Sequence, residues 1–152
     1  SVGTADTGRN RGAVWVAAWR ADEGRRMTFR WLDRGTVKAP YMTLCLTEAD
    51  YMKAVKHCKL PTPDRWMDMD KHQGVTHVWE TNGKLICIVC LHPDALKADP
   101  IEVAGVLVHE AVHVFQRLCD SIGEEAPSRE FEAHSIGNIA ERLMREFVRQ
   151  TA

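Results

Sequence analysis

Apolar positions along the chain follow two rhythms, one before about residue 92 and one after it. Tyr41 to Leu46 reads as a short strand, and Val75 to Glu80 alternates apolar and polar residues. Residues 84–91 are apolar almost throughout, as in a strand covered on both faces. Asn82-Gly83 stands between these two segments, a pair that tolerates the left-handed backbone of a tight hairpin, so 75–80 and 84–91 are predicted to be antiparallel partners. Thr47, with Asp50 three residues on, caps a helix that must end before Leu60-Pro61-Thr62-Pro63. Beyond residue 98 the spacing becomes helical. Asp99, Pro100 and Glu102 start a helix that runs to about Ser121 and stops at Gly123. This helix is apolar nearly all round, from Val103 to Leu118, and is therefore expected to be buried. A last helix is predicted from about Ser128 to Arg149, with Ile136, Ala140, Leu143 and Phe147 as its buried stripe.

Composition narrows the class. A chain of 152 residues, 45% apolar and 27% charged, is expected to form one soluble globular domain, placed here at residues 39–152. Residues 1–38 form a basic, partly flexible N-terminal segment with eight Lys/Arg against four Asp/Glu. The formal net charge of −1 excludes a strongly polycationic nucleic-acid binder, so nucleic acid as a partner rests on that segment alone. No apolar run approaches a membrane span and the first 12 residues lack a signal-peptide core, so no membrane association is expected. The odd count of five cysteines points to a reducing, cytoplasmic setting. Cys87 and Cys90 have metal-ligand spacing, but residues three apart on a strand face opposite ways. Both are expected to be free core residues.

The chemistry-bearing motif is His109-Glu110-Ala111-Val112-His113, an HExxH within a helix. Residues i and i+4 share one helical face, so both imidazoles can bind one metal ion, and Glu110 lies one step round, placed to act as base. Two imidazoles plus a carboxylate suit Zn2+ with one position left open. Three ionisable groups on an apolar helix are costly unless paired, bonded or coordinated. The candidate stretch for the third ligand is Glu130-Phe131-Glu132-Ala133-His134-Ser135-Ile136-Gly137.

With that stretch, residues 75–145 resemble a minimal gluzincin, the zincin type with HExxH on one helix and a glutamate ligand on the next. Glu130, Glu132, Ala133, Ile136 and Gly137 are similar to the E-x-E-A-N-x-F-A pattern of short immunity-type metallopeptidases that cleave phage repressors. The resemblance implies Glu130 as the metal ligand. A helical wheel leans towards Glu132, which lies closer to the apolar stripe, and His134 is a third candidate. His134 also stands where the family commonly has an acid or amide orienting a ligand histidine, a role open to Asp120, Glu132 or a backbone carbonyl.

The fold class expected is α+β and zincin-like: a small, mostly antiparallel sheet of three or four strands on the HExxH helix, with the glutamate helix beside it. By the resemblance, strand 75–80 or 84–91 serves as the edge that receives a substrate chain. The function implied is that of a zinc metallopeptidase acting on a protein or peptide, with His109, His113 and Glu130 holding the metal and Glu110 as base. Tyr41, Tyr51, His77 and His134 are unranked candidates for an oxyanion donor. The other readings are a non-proteolytic module braced by zinc and a DNA-associated metalloprotease. His72 and His77 flank the start of the hairpin, where either can line a cleft and the surface is the default placement.

Overall fold

The computed structural model describes residues 40–61 and 65–152, so the basic segment 1–38 lies outside the described residues. The order of elements is β1 (Tyr41–Cys45), α1 (Glu48–His57), β2 (Gly74–Thr81), β3 (Lys84–Leu91), a 3-10 turn at Pro93–Leu96, α2 (Pro100–Ile122) and α3 (Arg129–Thr151). The ends are set by the residues that sequence singles out. The Thr47 hydroxyl accepts from the Asp50 amide, Asp99 from the Ile101 amide and Ser128 from the Phe131 amide. Gly123 closes α2 at φ 72°, and Asn82 and Gly83 turn the hairpin at φ 50° and 68°.

The three strands form one sheet in the order β1-β3-β2. β2 pairs with β3 antiparallel, from Gly74 opposite Leu91 to Thr81 opposite Lys84. β1 pairs with β3 parallel, Tyr41 opposite Ile86 and Cys45 opposite Cys90. The sheet is thus mixed, not mostly antiparallel. β3, apolar from Leu85 on, takes the centre, the hairpin fixes β2 on one side, and β1 fills the other with α1 between it and β2 in sequence. β3 is therefore no edge, and among the described residues β2, which holds 75–80, is the predicted receiving strand with an unpaired side. At the far edge, the Gln150 side-chain amide donates to the Leu44 carbonyl at 2.9 Å, tying α3 to β1.

Each face of the sheet is covered. Leu44, Leu85, Cys87, Val89 and Leu91 pack with Leu107, Val114, Phe115 and Leu143 of α2 and α3. Cys45, Ile86, Ile88 and Cys90 pack with Tyr51 and Val55 of α1 and with Met67 on the other face. α2 is less buried than its composition implies. Val103, Leu107, Ala111, Val114 and Leu118 are covered, but Val108 is exposed and Ile101 is 81% exposed. Three strands and one neighbouring helix cover only part of its circumference, and the remainder carries the histidines.

Cys87 and Cys90 do face opposite cores, and both are free. Burial pushes the Cys87 thiol up to about 11. Donation to Cys45 and burial hold Cys90 well above the ordinary thiol range. Neither populates a thiolate at neutral pH, so neither is a ready ligand or nucleophile. Replacing both with serine is expected to leave zinc content unchanged while lowering the melting temperature through buried hydroxyls. Zinc lost from a folded double variant would overturn this placement.

Candidate metal centre

His109 and His113 project from the exposed flank of α2, four residues apart. Their rings meet edge-to-face at 4.7 Å, and the two Nε2 atoms face each other at 3.0 Å. His113 Nδ1 lies 3.2 Å from Gln116 Oε1. An amide oxygen only accepts, and a proton on Nδ1 donated to it leaves on Nε2 the lone pair that a metal needs. Two imidazole nitrogens on one tetrahedral zinc, each at about 2.0–2.1 Å, stand roughly 3.3 Å apart. The pair therefore fits as two ligands of such an ion with little rearrangement.

Glu110 points the other way from solvent. It is 3% exposed, the one charged residue in the described core. The Thr76 hydroxyl of β2 donates to its Oε2 at 2.6 Å. Gly74 lets the strand approach this closely: a Cβ there would lie 2.8 Å from Val106 Cγ1 and 3.1 Å from Glu110 Oε1. The residues converge on a groove of about 370 Å³ between β2 and α2, lined by His72, Thr76, His109, Glu110, His113 and Arg117.

The expected third ligand is not brought to this groove. The Glu130 side chain is 87% exposed and pairs with His134 Nε2 at 3.4 Å on the outer face of α3. Glu132, turned by about 200° from Glu130, is exposed as well, and it is not assembled with the histidines either. Among the described residues no group of three His, Cys, Asp or Glu side chains is assembled to hold a metal. The placement follows the apolar stripe of α3, whose Ile139, Ala140 and Leu143 are buried, and the Phe115–Phe131 contact that seats its first turn. Single substitutions separate the two acids. On the ligand that the family resemblance implies, Glu130→Ala is expected to weaken zinc in a competitive chelator titration more than Glu132→Ala does. The reverse order would hand the role to Glu132.

The candidates for an oxyanion donor also disperse. His77 bonds the Trp66 carbonyl at 2.6 Å and stacks on Tyr51 at 4.8 Å, on the α1 side of the sheet. Tyr51 is buried there, Tyr41 lies on the β1 edge, and His134 is on α3. Sequence reasoning missed Thr76, Gln116 and Arg117. Gln116 and Arg117 follow His113 by three and four residues and so share its flank, a spacing legible in the chain. Thr76 lies two residues from Val78 on one face of β2, but nothing in the sequence marks that face as the one above Glu110. Among the described residues no helix is long and apolar enough to cross a membrane. Comparison with protein families, with characterised proteins and with solved structures finds no match to this chain.

Proposed function

We propose that the chain is a zinc-dependent peptidase of zincin type, with its catalytic groove between β2 and α2. The observation that carries the reading is the pair of facing Nε2 atoms, 3.0 Å apart, on the same groove as the buried Glu110. His109 and His113 would hold the ion, with a carboxylate of α3 as the proposed third ligand. Zinc held there would polarise a scissile carbonyl and bring the pKa of a water towards about 7. Glu110 takes a proton from the attacking water and delivers it to the departing amine. The Thr76 hydroxyl holds its carboxylate in one rotamer for that exchange. β2, at the sheet edge, offers main-chain groups that can hold an extended substrate chain beside the groove.

A zinc brace without catalysis is less well supported. Bracing needs no base, and burying a carboxylate among apolar residues is costly without a return in function. The test is to incubate zinc-loaded protein with a mixed synthetic peptide pool and read new termini by mass spectrometry. Cleavage that disappears with chelator and returns with zinc is the expected result. No cleavage by protein that holds one zinc per chain would reject the peptidase reading.

A further inference from the structure

The groove does not end at the histidines. It continues along β2 into a second cavity of about 500 Å³, lined by Glu80, Leu85, Arg117, Asp120 and Ser121 among others. Arg117 lines both. It follows His113 by four residues, so its side chain leaves α2 on the same flank, one turn on.

The acids beside Arg117 do not saturate it. Asp120 Oδ2 meets only Nη1, at 3.5 Å, with both side chains well exposed. Such a contact is worth little and yields readily to a better partner. Glu80 is engaged by the Ser121 hydroxyl at 2.7 Å. A guanidinium has five N–H donors and matches a carboxylate through two parallel bonds. At the opposite end of the groove the cation is Lys71, which lies 3.6 Å from Asp68 and shares its cavity with Glu102. The two ends thus differ: among the described residues Arg117 is the cation that lines the histidine groove and its continuation, and its planar fork, unlike an ammonium, can meet both oxygens of one carboxylate.

We propose that Arg117 binds a substrate carboxylate, so that the groove selects peptides carrying one within about two residues of the cleaved bond. The inference rests on the peptidase reading and adds its substrate class. Four residues of helix advance about 6 Å, and an extended chain covers that in about two residues. The carboxylate is an acidic side chain or the free end of the chain, and both present the same two oxygens.

The experiment uses the zinc-loaded full chain and the same peptide pool, with every cut site aligned. Aspartate, glutamate or a free C-terminus should be enriched at one fixed position within two residues of the cut. Arg117→Ala should abolish the enrichment, Arg117→Lys should keep part of it, and Arg117→Glu should replace it with lysine and arginine. A binding measurement supports this without turnover: fluorescence anisotropy of one labelled selected peptide on zinc-loaded Glu110→Gln. Asp→Asn or Glu→Gln at that position, against an amidated C-terminus, tells side chain from chain end. The variant that removes the recognised carboxylate should bind about 10- to 100-fold more weakly. Wild-type cleavage with no acidic preference, or a preference unchanged in Arg117→Glu, overturns this inference and leaves the peptidase reading standing. No cleavage by zinc-loaded protein overturns both.

Discussion

Protein purified without added metal is expected to hold close to one zinc per chain, and the His109→Ala, His113→Ala double variant none. The two imidazoles are the only expected ligands that the structure brings face to face, with Nε2 atoms 3.0 Å apart. Removing both leaves at most one protein ligand, too few to retain a structural or catalytic zinc. The fold should survive, because both side chains are exposed and neither fills the core. Exposed substitutions of this kind usually stay within about 0.5 kcal/mol of the parent. The metal itself has a larger effect. A ligand that binds only the native state, present at a thousand times its dissociation constant, adds about 4 kcal/mol. Chelator should therefore lower the wild-type melting temperature to that of the double variant and leave the variant's own unchanged. Elemental analysis finding stoichiometric zinc in the folded double variant would refute the site.

The sequence is most informative where a residue's chemistry acts locally. Caps at Thr47, Asp99 and Ser128, the Asn82-Gly83 turn and the Gly123 stop each act within a few residues, and each recurs in the structure. The opposed faces of Cys87 and Cys90 follow from strand geometry alone. The i, i+4 spacing places His109 and His113 together for the same reason. What the chain does not disclose is which surfaces meet. The parallel pairing of β1 with β3 depends on the path of the chain between residues 46 and 74, not on any local signal. The exposure of Val108 and Ile101 depends on how few elements surround α2. Glu130 and Glu132 share one turn of α3, where Phe131 packs on Phe115 and both acids stay exposed. The family pattern and the helical wheel disagree at that point, and the structure brings neither acid to the histidines. Its logic is the burial of Ile139, Ala140 and Leu143, which no short motif encodes.

Glu110→Gln is expected to keep the zinc and the fold while hydrolysis falls by about 10²–10⁴-fold, the usual cost of a lost general base. Glutamine nearly matches glutamate in shape, so the space beside Gly74 and Val106 stays filled, which matters where a single added carbon would already collide. Its amide oxygen can still accept from the Thr76 hydroxyl, the bond now made at 2.6 Å. It cannot take a proton at neutral pH, and that is the one property the reaction demands of it. Glu110→Ala is a poorer probe, because it strands the Thr76 hydroxyl in a part-buried place at a cost of about 1–3 kcal/mol. The two variants together separate positioning from chemistry. Glutamine should melt at or above the wild-type temperature, since a buried carboxylate is gone and its hydrogen bond is kept. Alanine should melt lower, and both should be inactive. Cleavage by zinc-loaded Glu110→Gln at the wild-type rate would place the base elsewhere and leave the buried carboxylate as a structural tie between β2 and α2.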